Sequence, residues 1–179
     1  LIWQIQSTGN VANGGAFAAG GSGTDYSQQD APQATYDGTT LAITAAGLGN
    51  ALTCPGRPFV AADVGNVLNI TGGTNLVVGR YHVVSVTTGT ATVIGAAANA
   101  ATGASTNGTG RLGGAVATPS TAFAVGVTSN TYYLKGAFTL AGSIGPAAGT
   151  QSAPTRIIGY TTTRAAADNP AVGSELATI

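Results

Sequence analysis

The sequence predicts an all-β protein: an extended glycine-rich N-terminal arm, a small antiparallel β subdomain and then the first rungs of a parallel β-helix with one short capping helix. Gly, Ala and Thr form about half of the 179 residues, and runs of β-branched and aromatic residues alternate with polar ones. Such alternation is typical of strands with one buried face. The predicted segments are an extended arm for attachment over 1–38, the β subdomain over 39–98, a flexible connection over 99–112 and the start of the β-helix over 113–179.

Charge and composition exclude several classes of partner. Only 7% of the residues are charged, and six basic residues balance six acidic ones. Nucleic acids and anionic membrane surfaces attract an excess of Lys and Arg, and a transmembrane helix needs about 18 or more consecutive apolar residues. The sequence has neither feature, so we predict no nucleic-acid partner and no membrane insertion. A net charge of zero does little to keep molecules apart, which favours an assembled state.

The arm begins with a short alternating run, in which Leu1, Trp3 and Ile5 share one side of a strand. Residues 7–37 that follow are mostly Gly, Asn, Ala, Ser and Gln. A structureless loop of this length is uncommon in a compact domain, so we expect it to be pinned against this chain or a neighbour. The alternative is a disordered arm. Large aromatic side chains bury much apolar area, and the candidate interaction residues are Trp3, Phe17, Tyr26 and Tyr36.

The β subdomain is predicted from several short alternating runs. They are Thr40–Thr44, Val67–Thr71, Arg80–Val86 and Thr90–Ile94. The last two are separated by Thr87-Thr88-Gly89, and a three-residue turn containing Gly between two such runs predicts a β-hairpin. These strands fit a small antiparallel barrel or sandwich. The low-complexity segment from Gly95 to Gly110 has no apolar residue larger than Ala, and we interpret it as a flexible connection or a long exposed loop.

The last third combines one helix signal with short strands. Thr118 before Pro119 fits an N-cap followed by proline at the first helical position, which predicts a helix to about Val127. The predicted strands are Thr131–Lys135, Phe138–Leu140 and Arg156–Tyr160. Short strands with irregular loops suit the rungs of a parallel β-helix, in which each turn buries its face on the next. A β-sandwich has strands of similar length.

Several stretches of the chain match the pattern of a known group of proteins. They are Trp3–Ile5, Thr8–Asn10, Asn13–Phe17, Gly23–Pro32, Phe59–Asn66, Gly79–Tyr81, Asn130–Gly136 and Ala153–Tyr160. These stretches resemble the opening of tailed-phage proteins in which a right-handed parallel β-helix of the pectin-lyase type follows. The resemblance spans nearly the whole chain and is most specific in Gly23–Pro32. Proteins of this kind are usually several hundred residues long, whereas this chain holds one or two rungs.

The resemblance implies a structural protein on the surface of a phage particle. We expect it to attach to capsid or tail subunits and to carry a projecting β-helix, as a tailspike or fibre base or as a capsid decoration. A homotrimer is expected, with a host-surface glycan bound by a C-terminal region not present here. The alternative is the N-terminal part of a glycan-degrading tailspike depolymerase whose catalytic rungs lie beyond residue 179. A third class, a secreted bacterial adhesin, would need a signal sequence upstream of Leu1.

The residues themselves offer little enzymatic chemistry. Glycan cleavage commonly needs two rigidly held carboxylates. The acidic residues are Asp25, Asp30, Asp37, Asp63, Asp168 and Glu175. No pair of them stands on predicted strands, and Asp63 precedes a turn in which Asp caps backbone amides. We therefore predict a protein that is not an enzyme, with no catalytic residue and no cofactor.

Metal and nucleotide sites are equally poorly supported. Cys54 is the single cysteine and His82 the single histidine, which excludes an intramolecular disulfide and argues against a metal site within one chain. Three symmetry-related copies of His82 on a trimer axis are the one speculative alternative. The glycine-rich Gly20–Thr24 is not followed by Lys, as a phosphate-binding loop requires.

Overall fold

The computed structural model of the chain describes residues 2–17, 30–43, 51–95, 100–124, 130–139, 145, 150–152 and 154–160. Within these residues the protein is all-β, as predicted, with two sheets, a short α-helix and a single 3-10 turn at Ala61–Asp63. In chain order the elements are β1 (Ile2–Gln6), β2 (Ala16–Phe17), β3 (Ala34–Ile43), β4 (Ala51–Thr53), β5 (Val67–Leu76), β6 (Gly79–Thr87), β7 (Thr90–Gly95), β8 (Ala101–Leu112), α1 (Pro119–Phe123), β9 (Thr131–Lys135) and β10 (Arg156–Tyr160).

The predicted antiparallel β subdomain is a closed barrel of six strands. The strand order is β3-β4-β7-β6-β5-β8, and β8 pairs with β3 to close the barrel. Every neighbouring pair of strands is antiparallel. Closure removes the unpaired strand edges that an open sheet would expose. Alternate side chains point inward and form one apolar core, which includes Tyr36, Leu41, Leu52, Cys54, Phe59, Leu68, Ile70, Tyr81, Val83, Val93 and Leu112.

The hairpin between β6 and β7 is present, but its loop is shorter than predicted. Thr87 pairs with Thr90, which leaves only Thr88 and Gly89 in the turn. Both have positive φ, 47° and 76°. This is the geometry of the two-residue type I′ turn, whose twist matches that of the strands it joins. The predicted three-residue loop was wrong because Thr87 belongs to the ladder.

The segment 99–112, predicted to be a flexible connection, instead contains the longest strand of the barrel. β8 covers Ala101–Leu112, pairs along its length with β5 and pairs with β3 from Ser105 to Leu112. Its residues up to Gly110 are too small to show an apolar alternation. The strand is held by the backbone hydrogen bonds of two neighbours, which the composition of β8 itself does not reveal.

The second sheet has the order β10-β9-β1-β2. β1 and β9 are parallel and in register from Ile2 opposite Thr131 to Gln6 opposite Lys135, and β10 continues the parallel ladder on the other side of β9. β2 adds a short antiparallel strand to β1. One face packs with α1 into a second core, which comprises Trp3, Ile5, Val67, Val116, Ala122, Phe123, Tyr132 and Leu134, with Phe138 against it.

Within the described residues the predicted β-helix rungs over 113–179 are not formed. β9 and β10 instead extend a mixed sheet, because the alternating strand at the start of the chain takes the place beside β9. Phe138 and Thr139 lie outside any strand, contrary to the prediction, and Leu140 lies outside the described residues. Strands β9 and β10 themselves have the bounds predicted.

The helix and the arm also differ from the sequence-based picture. α1 starts at Pro119, as predicted, and ends at Phe123, and residues 125–129 are outside the described part of the chain. The predicted arm, 1–38, supplies β1 and β2 to the mixed sheet and the first residues of β3 to the barrel. These described parts of the arm are thus held by backbone pairing within this chain.

Candidate functional site

A polar junction lies where the loop after β1 contacts the outer wall of the barrel. Asn13 is at its centre and is fully buried. Its side-chain Nδ2 donates to the backbone carbonyls of Asp30 and Ala115, at 2.7 and 2.9 Å. These bonds join three segments that are distant in sequence. Because a buried amide without partners is costly, the satisfied Asn13 fixes the position of this loop.

Three polar side chains on the outer face of the barrel contact the loop after β1. Asn69 on β5 lies opposite Arg80 on β6 and opposite Arg111 on β8, so the three form one row across adjacent strands. The Arg80 Nη2 donates to the backbone carbonyls of Val11, at 2.5 Å, and Asn13, at 3.1 Å.

The other two members of the row complete the contact. The Asn69 Nδ2 donates to the carbonyl of Ala12 at 2.9 Å. Arg111 Nη1 donates to the Asn13 Oδ1 over a long 3.4 Å. In the described part of the chain, the acceptors that this row uses are therefore neutral carbonyl and amide oxygens.

The positive charge of Arg80 is not paired with a carboxylate of the described residues. Burial lowers the pKa of its guanidinium to about 10. Within the described residues its Nε has no hydrogen-bond acceptor, and neither Arg80 nor Arg111 forms an ion pair. Buried charges in proteins are usually paired. The nearby carboxylate of Asp30 accepts from the Thr8 hydroxyl at 3.0 Å instead.

A close backbone approach holds the loop against the barrel. The amide of Gly14 donates to the carbonyl of Gly113 at 2.9 Å, and the Gly113 amide donates to that of Val67 at 3.0 Å. A Cβ on Gly14 would overlap the carbonyl oxygen of Val67. Val67 also contributes its side chain to the core around Trp3, so the barrel and the mixed sheet share this seam.

A second polar cluster surrounds Asp63, which is fully buried. Its carboxylate accepts from Arg57 Nη1 and Nη2, from Gln33 Nε2 at 2.7 Å and from the Val60 amide at 3.0 Å. Its cap on a backbone amide agrees with the turn predicted from the sequence. Burial raises the pKa of the Tyr36 hydroxyl, which accepts from Arg57 at 3.4 Å.

Of the four aromatic residues predicted to mediate interactions, Trp3 and Tyr36 have described side chains, and these lie in different cores. Trp3 is fully buried in the second core, where its ring stacks on Tyr132 with centroids 6.3 Å apart. Tyr36 is buried in the barrel core beside Phe59, with centroids 5.9 Å apart. Phe17 lies on β2, and Tyr26 is outside the described residues. A role of these residues in binding another molecule stays a prediction.

Asn13, Asn69, Arg80 and Arg111 were not singled out from the sequence. Each is an isolated polar residue in a glycine-rich or alternating segment. The two arginines become neighbours only through the register of β5 with β6 and with β8. The available signal for Arg80 was its position in an alternating strand, whereas Arg111 lies in the segment predicted to be a flexible connection.

The remaining candidates do not form a metal site in the described residues. No group of three His, Cys, Asp or Glu side chains is placed to hold an ion there. His82 lies half-buried on β6, and burial lowers its pKa. Cys54 is buried in the barrel core. In the described part of the chain, none of the helices has the length and apolarity needed to cross a membrane.

Comparison with known proteins identifies no relative: no protein-family model, no curated protein and no solved structure matches this chain.

Proposed function

We propose that this chain is a structural protein of a phage particle, which attaches to other virion proteins through its N-terminal half and carries a projecting β-helix. One observation carries the proposal, the parallel ladder of β1, β9 and β10. Trp3, Tyr132 and Ile157 lie side by side across it in register. Trp3 and Tyr132 are fully buried, whereas 47% of Ile157 is exposed.

This pattern supports a stem that continues from β10. β10 is the end strand of its sheet among the described strands. Parallel strands gain stability when both their faces are covered and when a further strand pairs with their open edge. A next parallel strand would pair with the backbone of β10 and cover Ile157. A projecting β-helix would supply such a strand, as the resemblance of the sequence to tailed-phage proteins implies.

The barrel suits the attaching half of such a protein. It is closed, and it is built largely from small residues in antiparallel strands. The neutral charge of the chain favours association with neighbouring subunits, because little repulsion opposes it. We propose a homotrimer as the assembled form, on the particle surface.

Locating the chain in intact particles tests the proposal. Particles of the phage that encodes the chain would be labelled with gold-coupled antibodies raised against it, with pre-immune antibodies as the control, and imaged by electron cryomicroscopy. Many copies spread over the shell would indicate a capsid decoration, and a few trimers at one vertex would indicate a spike or fibre base. Particles that lack the chain would overturn the proposal. A monomer in sedimentation at micromolar concentration would overturn the trimer.

The competing function is the N-terminal part of a glycan-degrading tailspike. It predicts the same place at a vertex but a different activity of the full gene product. Incubation of that product with host-surface polysaccharide would shorten the polymer, as measured by size-exclusion chromatography. An unchanged polymer together with labelling of the particle supports the purely structural role.

A further inference from the structure

We propose that the row Arg80–Asn69–Arg111 on the barrel wall is a binding site for an oxyanion, the carboxylate or phosphate group of a ligand. This inference does not depend on the proposed function. It rests on the alignment of the three side chains, on their neutral partners and on the observation that no carboxylate of the described residues pairs with either arginine.

The barrel pairing dictates the alignment. Along β5, Leu68 and Ile70 are buried in the barrel core, so Asn69 between them points outward. Arg80 precedes the buried Tyr81 and Arg111 precedes the buried Leu112, which places both on the same outer face. Since β6 and β8 flank β5, the two guanidiniums stand on either side of the Asn69 amide.

Both guanidiniums converge on one residue, Asn13. Arg80 donates to its backbone carbonyl and Arg111 to its side-chain Oδ1. The two positive charges therefore donate to different oxygens of the same residue, and neither oxygen carries a formal charge. Bringing the cations together costs Coulomb energy that a negative charge between them would offset.

The chemistry of the row selects an oxyanion. A guanidinium presents its N–H groups as a planar fork that matches two oxygens of a carboxylate or phosphate. Arg111 uses one long hydrogen bond within the described chain and keeps part of its surface open to solvent, as does Arg80. An oxyanion on the solvent side of the two guanidiniums would accept from both while the loop at Asn13 stays seated.

The test measures thermal unfolding of the purified chain at constant ionic strength in sodium chloride, phosphate, sulfate or acetate. A ligand that binds only the folded state raises the melting temperature, by about 2 to 5 °C when it is present at roughly ten times its dissociation constant. We expect phosphate, sulfate or acetate to exceed chloride, and isothermal titration calorimetry to give saturable binding of the same ion. A response to acetate alone identifies a carboxylate site, and a response to phosphate and sulfate alone identifies a tetrahedral one.

Variants locate the effect. Arg111→Gln removes one fork at the cost of a single long hydrogen bond, and it should abolish the excess shift. Arg111→Lys keeps the charge without the fork, and it should weaken binding at least tenfold. Arg156→Gln, on an exposed position of the mixed sheet, is the matched control and should keep the full response. Equal shifts in all four salts, or an undiminished response in both Arg111 variants, would overturn the site.

Discussion

Both terminal nitrogens of the Arg57 guanidinium donate to the fully buried carboxylate of Asp63, at 2.6 and 2.9 Å. The same carboxylate accepts from Gln33, which lies just before β3, and from the Val60 amide in the loop before the 3-10 turn. The Asp63 side chain thus connects the loop after β4 to the start of β3. A buried carboxylate is tolerated here because hydrogen bonds satisfy both of its oxygens.

Asp63→Asn should destabilise the fold by about 3 kcal/mol, because it leaves Arg57 without its counter-charge and turns an amide donor toward guanidinium donors. Urea unfolding followed by circular dichroism measures the loss. The matched control is Asp30→Asn, at an exposed carboxylate that accepts from Thr8 alone among the described contacts, and it should cost about 0.5 kcal/mol or less. Equal losses for the two variants would contradict the importance assigned to Asp63.

Gly14→Ala should loosen the seam between the barrel and the mixed sheet. Its Cβ would overlap the carbonyl oxygen of Val67, and a backbone atom cannot move aside without breaking its own hydrogen bond. We expect a loss of about 3 kcal/mol or more. Gly145→Ala is the control, since a Cβ at Gly145 meets no atom within 4 Å. A Gly14→Ala protein with wild-type melting temperature would show that the seam is not rigid.

The free energy of unfolding should decrease as the pH is lowered through the range in which free histidine titrates. Burial lowers the pKa of His82 in the folded chain, whereas in the unfolded chain it titrates near 6.5. Below that pH the unfolded state binds more protons, so the free energy of unfolding decreases as pH falls from about 7.5 to 5.5. His82→Gln should flatten the profile of melting temperature over this window. A slope that the substitution leaves unchanged would assign it to another group.

Trp3 and Cys54 report on the two sheets separately. The chain has one tryptophan, fully buried in the mixed sheet, and one cysteine, buried in the barrel. Acrylamide should quench Trp3 fluorescence poorly, and a thiol reagent should label Cys54 slowly. Because Val67 belongs to barrel strand β5 and packs into the core around Trp3, both signals should change at the same urea concentration. Two separate midpoints would show that the sheets unfold independently.

The strands predicted best are those whose signal is local. The β-branched run of β6 and its hairpin partner β7 alternate within a few residues, so the pattern was sufficient to predict the hairpin, although its loop has two residues and not three. β8 was missed because its small residues resemble a linker. The structure shows why a small residue is needed in β8: a Cβ on Gly108 would lie 2.7 Å from the carbonyl oxygen of Leu41 on β3. Small size here permits close strand packing.

The Asn13 junction also could not be predicted from the sequence. Arg80 and Arg111 are far apart in the sequence, and only the pairing of β5 with both of their strands makes them neighbours. The Asp63 cap was predictable because it depends on the few residues around it. Its hydrogen bond to Gln33, which lies 30 residues earlier in the sequence, was not predictable.

The place of β1 between β2 and β9 sets the order in which the chain acquires its structure during synthesis on the ribosome. All six barrel strands lie between Ala34 and Leu112 and emerge before β9. Ile5 forms one isolated parallel bridge to Val116, but the partners of Trp3 and Ile5 on β9, Tyr132 and Leu134, are translated only after the barrel strands. Strand pairings that span so much sequence form late. The nascent barrel therefore completes first, and β1, although it is synthesised before the barrel strands, pairs with β9 only afterwards.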